Sequence, residues 1–246
     1  MLTDKFPREI LAETPTPIEK LDRLSEFLGG PEIWIKRDDQ TGLAFGGNKA
    51  RQLEYYFGEA VIRKANVILI TGAVQSNYMR TAVAAARRLG MDVEVQLEER
   101  VKGQPEEYYN SGNPYLMKLM GAKFHHYPSG EDEEGADNAL YQRAKILKEK
   151  GKIPYVIPLA ERHPPMGSFG YVDCAEEILS QGFKADAIIT ASGSGTTHAG
   201  LLAGLRIRET KTPIYGICVR RDKESQKARI KKKTQIVIDM LGEDYQ

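Results

Sequence analysis

A chain of 246 residues with 35 basic and 34 acidic side chains carries a formal charge of +1, which gives it no electrostatic footprint for nucleic acid or an anionic membrane. Its 41% hydrophobic and 28% charged residues are ordinary for a globular protein of one large or two small domains, and apolar runs such as 67–70 are far too short to span a bilayer. The two cysteines, Cys174 and Cys218, stand far apart, and with no signal-like N-terminus they read as free thiols in a reducing cytoplasm.

In chain order, the first thirty residues hold Pro15 and Pro17 and read as a lead-in with one or two amphipathic turns (Ile18, Leu21, Leu24, Phe27, Leu28). Residues 33–37 read as a strand and 38–42, with two Asp and a Gly, as a turn. A helix is predicted over 52–64, a buried-type strand over 66–71 and an alanine-rich helix over 78–89. Further strands follow at 93–97, 122–127, 155–158, 187–190 and 214–219. Between them the sequence predicts helices at 113–120, 136–149, 167–180 and 196–209. Strands alternating with helices at this spacing argue for βαβ units and mostly parallel sheets. The basic run at 229–233 reads as a solvated helix face rather than a nucleic-acid patch.

Three segments carry chemistry. In the first, Lys49 follows Gly46, Gly47 and Asn48 directly before a helix. Glycines let the backbone approach a ligand closely, and lysine forms a Schiff base with an aldehyde; a solvated lysine at a helix start fits this motif alone equally well. In the second, the strand at 187–190 leads through Ser192, Gly193, Ser194 and Gly195 into a helix opening with Thr196 and Thr197. Such a loop aims several N–H groups and a helix dipole at one point, as a phosphate cradle does, although tight glycine packing would also explain it. Four residues separate the second glycine from Gly200, which is not the dinucleotide spacing, and no lysine follows to make a nucleotide-triphosphate loop. A monophosphate fits better, and together with Lys49 it points to pyridoxal phosphate. In the third segment, Ser76 and Asn77 open the helix at 78–89, where either is at least an N-cap. Asn77 is placed against the cofactor's phenolic oxygen and Ser76 beside the substrate. His125 and His126 are adjacent on a predicted strand, so they face opposite ways and suit no shared metal.

With these segments the chain resembles the D-cysteine desulfhydrase and 1-aminocyclopropane-1-carboxylate deaminase family, within the tryptophan-synthase-β-like, fold type II group of pyridoxal phosphate enzymes. The likeness runs in family order through 6–8, 14–17, 35–39, 46–54, 72–77, 155–158 and 191–200. It implies an α/β fold of two αβα domains with mostly parallel sheets. A smaller domain would span 51–164, and a larger cofactor domain 1–50 and 165–246. The family's Schiff-base lysine falls on Lys49, with Asn48 beside it. Its cofactor-facing Ser-Asn pair falls on Ser76 and Asn77, and its phosphate loop on Gly193, Ser194, Gly195, Thr196 and Thr197. The resemblance therefore assigns catalysis to Lys49 and Ser76, and substrate contact to Ser76, Asn77, Tyr78 and His163.

The chain departs from the family at several places. Tyr78 stands where relatives often carry His, and Gln52 where a lysine is common, so a cationic phosphate contact is missing there. The loop at 159–165 replaces a Gly-Gly-Ser-Asn stretch, and its Arg162 and His163 suggest an anionic group on the substrate, although a surface loop fits nearly as well. Relatives continue past residue 246 with the last strands of the larger domain, a partner for the pyridine nitrogen and a tyrosine near the substrate. The implied function is a pyridoxal phosphate-dependent lyase or deaminase. It would release ammonia and a keto acid from a small amino acid, by β-elimination or by opening a cyclopropane ring. A cytoplasmic homodimer, with no nucleic-acid or membrane partner, is the implied setting. The alternative is a truncated, non-catalytic relative or one half of a split enzyme.

Overall fold

The computed structural model describes residues 1–130, 132–219 and 221–243; the last three residues of the larger domain read from the sequence lie outside them. Near the N-terminus, β1 (Ile18–Lys20) pairs antiparallel with β2 (Trp34–Lys36) around α1 (Asp22–Leu28). The apolar residues of α1 are not buried, and Phe27 is 84% exposed. A central helix follows, α2 (Lys49–Ile62).

The main sheet is parallel and four-stranded. It is built from β3 (Val67–Ala73), β4 (Asp92–Glu98), β5 (Lys123–Tyr127) and β6 (Pro154–Ile157), in the order β5-β4-β3-β6. Strand β3 is apolar on both faces because both are covered. Ile68 and Ile70 pack into a cluster with Leu53 and Phe57 of α2 and with Met79 and Ala82 of α3 (Asn77–Arg88). Val67 and Leu69 point the other way, onto Leu140, Ala144 and Leu147 of α6 (Glu133–Glu149). Between β4 and β5 lie α4 (Glu106–Asn110), which the sequence pattern did not reveal, and α5 (Gly112–Leu119). On β5, His125 bonds Glu94 Oε2 at 2.8 Å while His126 is exposed. The chain leaves β3 toward β4 on one side and returns to β6 on the other. The carboxyl ends of β3 and β6 thus flank a topological switch point, where open α/β sheets form a crevice.

The remaining elements are α7 (Phe169–Ser180), β7 (Ile188–Ser192), α8 (Thr196–Ile207), β8 (Ile214–Cys218) and α9 (Lys223–Leu241). β7 and β8 pair in parallel. Helices α7 and α8 approach closely because Gly200 and Gly204 lack side chains: a Cβ at Gly200 would meet Ser168 O at 2.2 Å. One face of β7–β8 packs Ile188 and Ile214 against Leu201 and Leu205, while Ile189, Tyr215 and Ile217 are exposed. Both cysteines are free thiols, Cys174 buried and Cys218 exposed. Helix α9 corrects the reading of 229–233 as a solvated face. Gln226, Arg229, Ile230, Lys233, Thr234, Val237 and Ile238 form a buried stripe at helical spacing, and only Lys231 and Lys232 of the run face solvent.

Helix α2 joins the parts. Arg51, Gln52, Glu54 and Tyr55 are as buried as its apolar residues, and each of these four polar side chains is held. Glu54 accepts from Leu11 N, Ala12 N and Arg8. Tyr55 donates to Asp173. Arg51, 1% exposed, donates to Asp38, Glu177 and Thr16 Oγ1 at 2.9–3.2 Å. Replacing Arg51 with Met takes the cation from Asp38, which keeps only hydroxyl donors among the described residues, and leaves Glu177 with Lys36 alone as its cation. The expected loss, about 3–5 kcal/mol, is checked by urea unfolding of the variant; Arg51→Lys keeps the charge but not the planar fork and falls between the two.

Candidate active site

A cavity of about 510 Å³ opens at the switch point, within the range of small-molecule sites. Its walls come from the start of α2, the carboxyl end of β3, the start of α3, the loops after β4, β6 and β7, and from α9.

Lys49 reaches this cavity because the preceding loop is tightly folded. Thr41 Oγ1 donates to Gly47 O at 2.9 Å, and Gly47 N donates to Asp38 O at 2.9 Å. Gly46 sits at φ +68°, where a Cβ would lie 1.9 Å from Asp39 O, so only glycine fits. The 37–39 segment and the double glycine are therefore one structural unit. Lys49 has no ion pair or hydrogen bond among the described residues, and its Nζ lies 5.9 Å from the centre of the Tyr78 ring. Enclosure by protein desolvates the ammonium and lowers its pKa from 10.5 to about 8, although the side chain keeps some contact with cavity solvent. Desolvation also raises Tyr78 well above 10, and Tyr56, in the same wall, to about 12, so both phenols are neutral.

Ser76 is the N-cap of α3, its Oγ accepting from Met79 N at 3.2 Å. The Oδ1 of Asn77 accepts from Arg80 at 2.7 Å and from Asn113 Nδ2 at 2.9 Å. Asn113 is held in turn by Gln75. Fixing the oxygen of Asn77 in this way leaves its amide NH₂ as the group available to a ligand.

The glycine loop lies across the cavity. Gly195 adopts φ +83° as the N-cap of α8, and a Cβ there would meet Ile230 Cδ1 of α9 at 2.7 Å. Side chains of α9 brace the loop carbonyls. Gln226 donates to Gly193 O at 3.2 Å and Arg229 to Ser194 O at 3.0 Å. With its carbonyls turned to α9, the loop leaves N–H groups of the first turn of α8 beyond Thr196, whose own N–H donates to Ser194 Oγ at 3.4 Å, open to an anion.

Of the residues singled out in the sequence, Lys49, Ser76, Asn77, Tyr78, His163, Gly193, Ser194 and Thr196 line this one cavity. Asn48, Gly195 and Thr197 stand behind it. Thr197 Oγ1 accepts from Asn48 Nδ2 at 3.0 Å and from Gln52 Nε2 at 2.8 Å, which ties α8 to α2. Arg162, read with His163 as an anion contact, instead pairs with Glu134 and Asn138 and is not a lining residue. Lining residues that the sequence did not single out include Tyr56, Arg100, Glu133 and Lys233. Arg100 lies just past the carboxyl end of β4, a position the strand prediction marked. Lys233 carried a signal in its four-residue spacing from Arg229 and Val237.

A desolvated lysine in one cavity with a glycine loop at a helix start, in a crevice of an α/β sheet, is an arrangement that suits a phosphorylated aldehyde. The chain belongs to the pyridoxal-phosphate dependent enzyme family, whose model matches residues 10–244, and pyridoxal phosphate is its cofactor. It is 36% identical over 244 residues to a D-cysteine desulfhydrase of Serratia proteamaculans, covering 98% of this chain and 72% of that protein. To a Pyrococcus furiosus protein provisionally assigned as a 1-aminocyclopropane-1-carboxylate deaminase it is 39% identical over 245 residues, covering 98% of this chain and 71% of the other. The crystal structure of an ACC deaminase homologue superposes with a TM-score of 0.86 at 34% identity, over all of this chain and 73% of that one. Escherichia coli diaminopropionate ammonia lyase, at 19% identity and a TM-score of 0.64, shares the fold. These relatives favour the lyase or deaminase reading over a non-catalytic one.

The pKa of Lys49 has a measurable consequence. The unfolded chain, with the ordinary value of 10.5, binds more protons than the folded chain between pH 8 and 10.5. Stability of the cofactor-free protein therefore rises with pH across that window, and holding Lys49 charged at pH 7 costs about 3 kcal/mol. Lys233, lowered to about 8 in the same direction, shares the effect. Lys49→Met is expected to stabilise the cofactor-free protein at pH 7 by about 1–3 kcal/mol and to flatten, without abolishing, the rise from pH 8 to 10.5 in denaturant titrations.

Proposed function

We propose that the chain is a pyridoxal phosphate-dependent lyase that eliminates a β-substituent from a small amino acid such as D-cysteine. With one water, D-cysteine would yield a keto acid, ammonia and hydrogen sulfide. Opening of a cyclopropane amino acid is the variant of this reading that the same site admits. The observation that carries the proposal is the desolvated amine of Lys49 in one cavity with the glycine loop.

When bound, pyridoxal phosphate supplies an aldehyde for an amine and a ring that withdraws electrons from the substrate's Cα. Gly193, Ser194 and the opening of α8 at Thr196 would hold its phosphate, and the NH₂ of Asn77 its phenolic oxygen. Lys49 would hold its aldehyde. Freed by the substrate's amine, Lys49 would take the Cα proton, a task suited to an amine with a pKa of about 8. Ser76, placed at an N-cap, would position the substrate carboxylate near the N-terminus of α3, where an anion is favoured. Tyr78 and His163 would border the substrate side chain, and the neutral phenols of Tyr78 and Tyr56 keep that side of the cavity uncharged. Asn48 and Thr197 support the site from behind.

The two clusters flanking α2 support a division into a smaller domain, 51–164, and a larger one, 1–50 with 165–246. A cytoplasmic homodimer is part of the same reading. Among the described residues no helix is long and apolar enough to cross a membrane.

The test is to incubate the cofactor-loaded protein with D-cysteine, L-cysteate and 1-aminocyclopropane-1-carboxylate. D-Cysteine should give keto acid, ammonia and sulfide in equal amounts. Lys49→Ala should lose the visible absorbance of lysine-bound cofactor, with turnover falling at least about 10³-fold. Keto acid and ammonia from the cyclopropane substrate alone would select the ring-opening variant, and no product from any of the three would overturn the proposal.

A further inference from the structure

Lys233 lies on α9, 8% exposed, and lines the same cavity as Gly193, Ser194 and Thr196. It is held directly beneath the glycine loop. The nearest atoms to a Cβ built on Gly195 are Ile230 Cδ1 at 2.7 Å, then Gln226 Nε2 and Lys233 Cδ, both at 3.7 Å. The ammonium is two bonds beyond that Cδ. Buried lysines are normally paired, yet Lys233 has no hydrogen bond or ion pair among the described residues. The nearby carboxylates are engaged by other cations. Glu133 binds Arg221 at 3.0 Å and Arg229 at 3.1 Å, while Glu161 binds Arg229 at 2.7 Å and Lys232 at 3.6 Å. Arg229 is in turn spent on those carboxylates and on Ser194 O. The charge left over at this end of the cavity is that of Lys233.

The other candidate for a cationic contact, position 52, is a glutamine here, and its amide is committed to Thr197. An anion seated on the N–H groups of the first turn of α8 would thus find no cation at position 52 but find one on α9. Desolvation, with the repulsion of Arg229, lowers the pKa of Lys233 to about 8, so at neutral pH it holds a proton at a cost that an anion would relieve.

We propose that Lys233 is the cationic ligand of the cofactor's phosphate, supplied from α9 in place of a lysine on α2. This rests on the assignment of the glycine loop as the phosphate site.

The experiment compares binding of pyridoxal phosphate and of pyridoxal, which lacks the phosphate, to cofactor-free protein by titration. The unaltered chain should prefer pyridoxal phosphate. Lys233→Met should weaken pyridoxal phosphate about 10- to 100-fold, the range of a charge-assisted hydrogen bond, and leave pyridoxal binding unchanged. Lys233→Arg should retain most of the preference. Equal weakening of both ligands, or of neither, would overturn the proposal, the first by showing a merely structural role. A second measurement needs no variant: labelling of Lys233 by an amine-directed reagent, read by mass spectrometry, should be suppressed by inorganic phosphate and by pyridoxal phosphate but not by pyridoxal. Labelling indifferent to phosphate would overturn the proposal. An unaltered chain that does not discriminate pyridoxal phosphate from pyridoxal would overturn the loop assignment itself, and the role of Lys233 with it.

Discussion

The guanidinium of Arg51 is the joint on which the rest of the structure depends. It sits two residues beyond Lys49, fully enclosed, and binds Asp38 of the turn after β2, Glu177 of α7 and Thr16 of the lead-in segment. Asp38 also accepts from Tyr171 at 2.6 Å, and Glu177 from Lys36. A buried ion cluster of this kind is costly to desolvate and is held only by full hydrogen bonding. What it secures is geometry. The first turn of α2 is fixed at once to the N-terminal segment, to the turn that packs under Gly46 and Gly47, and to α7 behind the glycine loop. The direction in which Lys49 leaves its helix is set by these contacts.

The site is then assembled from parts that are individually ordinary. A parallel sheet reverses its strand order beside β3 and leaves a crevice. Two glycines allow a turn that no other residue could occupy, and a third lets a loop press on α9. What is unusual is the placement of two lysines in that crevice, each without a hydrogen bond or ion pair among the described residues and each lowered by burial. Neither adds to the stability of the folded chain at neutral pH. On the proposed roles, ligands would account for the arrangement: an aldehyde on Lys49 and an anion on Lys233 beneath the loop.

Most of the sheet was legible in the sequence, because β3 and β6 are short apolar runs, β4 alternates apolar with polar residues, and α3 begins at a serine that caps it. The double glycine and the loop at 193–195 were legible for the same reason: glycine at a positive φ leaves a trace that composition does not hide. Other features were not. The helix at 106–110 is five residues long and too short for a periodic signal. The basic run at 229–233 looked solvated because charge dominates a local reading, whereas burial is set by the side of α9 on which each residue falls. Thr197 could be placed on the loop, but its hydroxyl turns to Asn48 and Gln52, a contact across 149 and 145 residues that no local pattern encodes. Arg162 and His163 stay in contact, Arg162 Nε donating to His163 Nε2 at 3.2 Å, yet only His163 reaches the cavity wall while Arg162 pairs with Glu134 at the surface.

The open face of β7–β8 bears on how the protein behaves in the tube. Ile189, Tyr215 and Ile217 form an exposed apolar strip on two parallel strands that pair with no further strand among the described residues, and Cys218 ends one of those strands with its thiol in solvent. Unprotected edges of this kind template association between molecules, and an accessible thiol can make such an encounter covalent in air. Purified material is therefore best kept dilute, at low salt and under reductant, and a dimer band on a non-reducing gel should be tested with dithiothreitol before it is taken for a native assembly.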